Sequence, residues 1–398
     1  MLEGSANDTA IDGRTMSVED THCGSSLGGS MDVRKIIAFI GAFYWIVMTV
    51  LIVPGAVVAS FFTIMLPAML IWIPLHNWID HKLCRMVNDH WVSASQSAGL
   101  NVIEYGDDIS EIAEKRVLFL SNHLGLVDHF VLMCAMYNKG TIAEKYLWVI
   151  FNIWKMTPLG AMWLTHGNYF INGGASKRER LLKQFREHLK DNYWKFDHRW
   201  IVMYPEGSRL YLIRESNARY AKKIGQKIFK NCALPRSSGA HAVFEVAGKS
   251  YDSTDKELGL ARCGLGGPIE YVVDCTLGYY KGDVPELGRY MTGEFPHKHS
   301  AVGVHYKIYP TKAEWLDEEK LRQWLYARYE EKDELLEYYY TKGTFPVNAK
   351  SRPRPLHFPF SRCVVVETFW ILLFYAHYYI WVKPLCIFLM NIVLSMFV

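Results

Sequence analysis

The sequence predicts an α/β fold, a largely parallel sheet covered by helices, with membrane helices at its N-terminal and C-terminal ends. Three observations predict it. Long apolar stretches lie toward the two ends of the chain, the first without charge and the second interrupted by Glu367 and Lys383. Between them, short apolar runs alternate with helical patterns, as expected of a parallel sheet with crossover helices. Two polar motifs each directly follow one of those runs, and sites in open parallel sheets form at the carboxyl ends of strands.

Composition narrows the class. The chain has 398 residues, enough for one large domain or two ordinary ones. Half of the residues are hydrophobic and 14% are aromatic, and the excess lies at the two ends. A net charge of +4 is too mild to argue for nucleic acid, and no motif of that class is present. The eight cysteines include no C-x-x-C pair, which favours reduced thiols over a disulfide framework or a zinc site.

Taken in order, residues 1–31 are polar, rich in Ser, Gly, Thr and Asp, and lack apolar periodicity, so a disordered tail is expected. They show no pattern of a removable signal peptide. Residues 32–76 are expected to form N-terminal membrane helices. No residue from 36 to 74 is charged, and this run is about twice the roughly 20 residues that cross a bilayer. Pro54-Gly55 near its middle suggests either a helical hairpin or one spanning helix followed by a re-entrant or interfacial one. Arg34 and Lys35 before the run, with Lys82 and Arg85 after it, favour a cytosolic position for both ends.

Residues 77–359 read as the α/β domain. Residues 116–120 form a short apolar run, expected as a buried strand. Residues 128–137 look helical. Residues 168–171 are a further strand candidate. Residues 176–192 form an amphipathic helix with a Ser176/Glu179 capping-box pattern. Residues 200–204 are expected as a strand, 217–229 as a basic helix and 269–274 as a later strand. Residues 360–398 are expected to hold one or two C-terminal membrane segments, interrupted at Lys383-Pro384. Glu367 sits near their start, where an interfacial position would cost little.

The first polar motif is Asn122-His123-Leu124-Gly125-Leu126-Val127-Asp128. An alcohol is a poor nucleophile until a base removes its proton. Histidine suits that task near neutral pH, and a carboxylate on its other nitrogen fixes the tautomer and stabilises the imidazolium. A loop and one helical turn would bring Asp128 back to His123. With 15 histidines, this spacing arises by chance roughly once in the chain, so the spacing alone proves little. A metal pair with His129 lacks a third and fourth ligand.

The second motif is Pro205-Glu206-Gly207-Ser208-Arg209. Gly207 permits close approach to the backbone, and Arg209 offers a planar fork for phosphate oxygens. Glu206 would orient Arg209 or hold a ligand hydroxyl. The bland alternative is a strand-end turn with a solvated ion pair. Ser208 lacks a G-x-S-x-G elbow, which argues against a serine hydrolase. Two basic clusters, Lys177 to Arg186 and Arg219 to Lys230, read either as solvated faces or as attraction for lipid headgroups or nucleotide phosphates.

At these motifs the sequence resembles the glycerolipid acyltransferase family, which includes 1-acylglycerol-3-phosphate and lysophospholipid acyltransferases. The first block is matched by Asn122, His123 and Asp128, and the third by Glu206, Gly207, Ser208 and Arg209. Pro235 and Arg236 match a fourth block. Gly167, Phe170 and Ile171 match the second, but Gly173 stands where the family has arginine, with Lys177 or Arg178 as candidate substitutes. The likeness spans about residues 117–346.

The resemblance implies acyl transfer from acyl-CoA to a lysophospholipid hydroxyl, with lysophosphatidylglycerol or a related lysophospholipid as acceptor. It implies His123 and Asp128 as the catalytic pair, with the third-block residues, Gly167, Phe170, Ile171, Pro235 and Arg236 around the acceptor. Acyl-CoA is the expected cosubstrate, with no cofactor and no metal. The expected location is the endoplasmic reticulum membrane, with a cytosolic catalytic domain. A lysophosphatidic acid acyltransferase, a CoA-independent transacylase or phospholipase, and a non-catalytic membrane adaptor are the competing readings. For the oxyanion of the reaction, the N–H groups near Gly125 or Gly207 are candidate donors.

Overall fold

The computed structural model describes residues 33–172, 178–248, 267–297, 301–348 and 351–396. The expected tail over 1–31, the capping Ser176, and Gly173 and Lys177 lie outside the described residues.

A sheet of eight strands organises the domain. The strands are β1 (Val102–Gly106), β2 (Val117–Ser121), β3 (Tyr146–Phe151), β4 (Tyr169–Ile171), β5 (Trp200–Met203), β6 (Tyr271–Gly278), β7 (Val302–Pro310) and β8 (Arg354–Pro355). Their spatial order is β4-β3-β5-β2-β6-β7-β1-β8. Neighbours from β4 to β6 run parallel, β6 and β7 antiparallel, β7 and β1 parallel, and β8 antiparallel to β1. The sheet is therefore mixed but mostly parallel. The expected run at 116–120 is β2, in the middle, with every residue buried. Its side chains divide by alternation: Val117 and Phe119 enter one core layer, Leu118 and Leu120 the other.

Helices cover both faces. On the Phe119 side lie α4 (Ile73–Ala98) and α5 (Asp128–Met136), with α6 (Pro158–Thr165) close by. On the Leu118 side lie α7 (Arg178–Asn192), α9 (Ser237–Ala247) and the start of the long helix Glu318–Lys342. The expected helix at 217–229 is displaced toward the N-terminus. Helix α8 runs Leu210–Lys223 and begins straight after Arg209. It stops because Gly225 takes a left-handed φ of 68° and Gln226 N–H returns to the Ala221 carbonyl.

The apolar ends form two long helices. Residues 33–71 are helical throughout as α1 (Val33–Val47), α2 (Val53–Ser60) and α3 (Leu66–Ile71), joined by π-helical turns. Pro54-Gly55 is not a hairpin; the break falls at Trp72, whose backbone is extended. The C-terminal run Phe360–Ser395 also continues through Lys383-Pro384. Pro54, Pro67 and Pro384 each lie just beyond a π turn, Met48–Ile52, Phe61–Met65 and Tyr378–Val382. A proline in a regular helix collides with the preceding turn, and a widened turn relieves that clash. Phe39–Ile71 and Phe360–Ser395 have 33 and 36 residues and are long and apolar enough to cross a membrane.

These terminal helices are fastened to the domain by polar contacts. Glu367 does not point away from the protein. It turns inward to His90 of α4, 3.0 Å away, while Thr49 meets the other imidazole nitrogen at 3.0 Å. Arg362 pairs with buried Asp89 at 2.6 Å. Gly55 lies under the Phe374 ring, where a Cβ would approach to 2.7 Å, so the two helices pack at glycine distance.

One buried ion pair fixes β6 from behind. Lys332, on the long helix Glu318–Lys342, has a fully buried side chain 2.8 Å from Asp274 and also donates to the Cys275 carbonyl and the Thr276 hydroxyl. Removing one partner strands a charge in a dry interior. Lys332→Ala should therefore destabilise the fold by about 3–5 kcal/mol, read as a lowered thermal or denaturant midpoint in detergent. An unchanged midpoint would mean that Asp274 finds water or another partner.

Candidate active site

The site assembles where β2, β5 and β6 end side by side. His123 lies in the loop after β2, and Asp128 is the first residue of α5. The expected return of Asp128 to His123 is present: His123 Nδ1 is 2.9 Å from Asp128 Oδ2. The same oxygen accepts the backbone N–H groups of Leu124 at 2.6 Å and Gly125 at 2.9 Å, and Oδ1 accepts the Tyr279 hydroxyl at 2.8 Å. Asp128 is fully buried, whereas His123 keeps an edge toward solvent. With Nδ1 facing a carboxylate, Nε2 is the nitrogen left for an incoming hydroxyl.

The second motif grips the first. The His123 N–H donates to Glu206 Oε1 at 3.0 Å, and the His123 carbonyl accepts from the Leu210 N–H at 3.3 Å. Glu206 Oε2 accepts the Ala233 N–H at 3.0 Å. Glu206 therefore corrects the expectation of a ligand-binding carboxylate: it is wholly buried and braces two loops. Burial pushes its carboxyl up to about 8, against the two N–H donors and Lys332, which favour the anion. Gly207 takes a φ of 72°, which a side chain would strain. Of the oxyanion candidates, the Gly125 N–H itself is committed to Asp128 and the Gly207 N–H to the Tyr204 carbonyl, which leaves other N–H groups near them for that role.

Two aromatic residues complete the pair and escaped sequence reasoning. The Tyr204 ring stacks on the His123 imidazole at 4.2 Å and 17°. Tyr279, at the end of β6, holds Asp128. Both sit at strand ends, a signal that becomes readable only once the order β5-β2-β6 is known. Asn122 is structural: its amide pairs with both the N–H and the carbonyl of Leu277, at 2.7 and 3.0 Å, and extends the β2–β6 pairing. His129 is no second base. Desolvation, then the neighbouring His123, pushes its imidazole down to about 3.

A cavity of about 810 Å³ opens beside this pair. Leu124, Gly125, Leu126, Arg209 and Arg214 form one part of its wall, and Lys281, Gly282 and Val284 another. Gly125 is needed for closeness here, since a Cβ would come within 2.5 Å of Val284. Arg209 caps α8 and lies over the Tyr211 ring at 5.3 Å. Ser208 lies between Gly207 and Arg209 in the same turn. Arg236 packs beside Gly207, and its N–H donates to the Pro205 carbonyl at 2.8 Å, so Pro235 and Arg236 flank the third block. The structure does not bring Gly167, Phe170 and Ile171 to the cavity wall. Phe170 and Ile171 lie on edge strand β4, and Gly167 packs against His198, which precedes β5. Among the described residues no group of three His, Cys, Asp or Glu side chains is arranged to hold a metal ion.

The fold and the two interlocked motifs define an acyltransferase. A family model described as Acyltransferase matches residues 101–245, and one described as Acyltransferase C-terminus matches 295–370. The chain belongs to the glycerolipid acyltransferase family. It is 45% identical over 368 residues to acl-12 of Caenorhabditis elegans, which carries a provisional 1-acyl-sn-glycerol-3-phosphate acyltransferase name, with 92% of both chains covered. It is 31% identical over 282 residues to Acyl-CoA:lysophosphatidylglycerol acyltransferase 1 of Homo sapiens, covering 69% of this chain and 73% of that one. A solved structure, the 1-acyl-sn-glycerophosphate acyltransferase PlsC of Thermotoga maritima, superposes with a TM-score of 0.39 at 15% identity, covering 76% of this chain and 98% of that one.

The raised carboxyl of Glu206 has a definite sign. The folded state holds a proton there between the ordinary value of 4.5 and about 8, so this contribution is complete below 4.5 and lost as pH rises through 8. Glu206→Ala should flatten the decline in melting temperature between about pH 5 and 9. It should also cost about 2 kcal/mol or more by orphaning two N–H groups. A variant with the wild-type pH slope would show that Glu206 is ionised in the fold throughout.

Proposed function

We propose that this acyltransferase moves a fatty acyl group from acyl-CoA to a free hydroxyl of a lysophospholipid at a membrane. The observation that carries the reading is the His123–Asp128 pair at 2.9 Å, with the loop between the two residues, Leu124 to Leu126, lining a cavity that also presents Arg209. His123 Nε2 takes the hydroxyl proton. Asp128 holds Nδ1–H and stabilises the imidazolium that results. The alkoxide-like oxygen attacks the thioester carbonyl. Collapse of the tetrahedral intermediate forms the ester, breaks the C–S bond and releases the coenzyme A thiolate, which is protonated by the imidazolium. No acyl-enzyme and no cofactor or metal enter this scheme. Arg209 holds the acceptor's phosphate, and Gly207 lets the ligand approach. Ser208, Pro235 and Arg236 support that corner.

The acceptor proposed first is lysophosphatidylglycerol, after the human relative's name. A second reading, a lysophosphatidic acid acceptor, is favoured by the name of the more similar nematode relative. The two terminal helices support residence in a membrane. We assign it to the endoplasmic reticulum, with the site on the cytosolic side. Lys82, Arg85, Arg354 and Arg362, on the domain side of the two apolar segments, support that orientation.

His123→Ala in detergent-solubilised protein should lower acyl-CoA-dependent turnover by at least ~10²-fold, the scale of a lost general base. Full activity in that variant would refute the mechanism. Offering lysophosphatidylglycerol and lysophosphatidic acid side by side, with products read by mass, separates the two acceptor readings. Turnover without any acyl-CoA would instead mark a transacylase or phospholipase.

A further inference from the structure

The cavity is much larger than the acceptor's glycerophosphate requires. Arg209 alone is enough to hold one phosphate beside His123. Besides Arg209 the wall carries three further cations, Arg214, Lys230 and Lys281. Against these four positive groups the wall sets two carboxylates, Glu286 and Glu337. Glu337 is already engaged, 2.8 Å from the Lys230 ammonium. The wall therefore stays positive, and a positive concave surface concentrates anionic ligands.

A second and independent observation concerns Lys281. Its backbone is left-handed, with φ 57° and ψ 10°, a conformation that is uncommon outside glycine. Such outliers cluster at ligand-binding sites, where surrounding structure holds them. Here Gly282 follows with φ 76° and lies against the Tyr340 ring, so the turn is clamped to the long helix Glu318–Lys342. The clamp holds a lysine, in a strained conformation, at the rim of the cavity.

We propose that Arg214 and Lys281, with Lys230 behind them, form a second phosphate subsite that takes the nucleotide end of the acyl-CoA donor. This rests on the acyl-CoA reading above. In that reaction Arg209 takes the acceptor's phosphate, and the phosphates left over belong to the adenosine end of coenzyme A. The thioester then runs from the cationic rim toward His123, and the acceptor hydroxyl meets it there. The basic face of α8 contributes through Arg214, which lines the cavity. Arg219, Lys222, Lys223 and Lys227 do not line it.

The test is steady-state kinetics on the full chain in detergent, with the double variant Arg214→Ala/Lys281→Gly. Glycine at 281 removes the ammonium and relieves the left-handed backbone, so the fold is kept. The donors are palmitoyl-CoA and palmitoyl-pantetheine, which lacks the nucleotide. For palmitoyl-CoA, KM should rise about 10-fold or more, from two lost charge-assisted contacts, with kcat and the lysophospholipid KM unchanged. With palmitoyl-pantetheine, variant and wild type should turn over alike. An unchanged KM for palmitoyl-CoA overturns the subsite, and so does a rise confined to the lysophospholipid KM. Wild-type turnover of palmitoyl-CoA separates the two claims: its absence refutes the donor reading itself, whereas its presence with an unaltered variant refutes the subsite alone.

Discussion

The structure around the cavity depends on one carboxylate. Asp128 is fully buried, and four donors converge on it: His123 Nδ1, the N–H groups of Leu124 and Gly125, and the Tyr279 hydroxyl. A buried carboxylate without partners would be expelled or protonated. Here the donors come from the loop after β2 and from the end of β6. The loop therefore folds around the charge, and His123 is held at the one angle that points Nε2 outward. Tyr204 beneath the imidazole removes the remaining rotation.

Everything else steadies those donors. Glu206 clamps the His123 and Ala233 N–H groups, and Leu210 bonds the His123 carbonyl, so the two polar motifs are one unit. Asn122 locks β2 to β6 at the point where Tyr279 must be placed. Lys332 anchors β6 from the other side through Asp274. The terminal helices join the same core through His90–Glu367 and Asp89–Arg362, which ties the site's position to the apolar segments.

Much of this was legible along the chain because it is local. The apolar run at β2 and the His123/Asp128 spacing each need only a few neighbouring residues. The helix after Arg209 begins ahead of the expected 217–229, because the basic residues of 217–229 are a stronger local pattern than 210–216. Tyr204 and Tyr279 were missed because their role depends on which strands are neighbours, and no local pattern states that. Glu206 was misread because a tetrapeptide does not show that its carboxylate faces inward. Gly167, Phe170 and Ile171 were carried by motif likeness, and edge strand β4 leaves them off the cavity wall. The prolines suggested breaks, but preceding π turns absorb them.

The central claim is that Asp128 acts by holding His123 in one tautomer and orientation. Asp128→Asn tests it directly, because the amide preserves shape while removing the charge. Measured as kcat with acyl-CoA on folded, detergent-solubilised protein, the variant should lose about 10²–10⁴-fold, with a melting temperature low but still above the assay temperature. Retention of more than about a tenth of wild-type kcat in that variant would contradict the account.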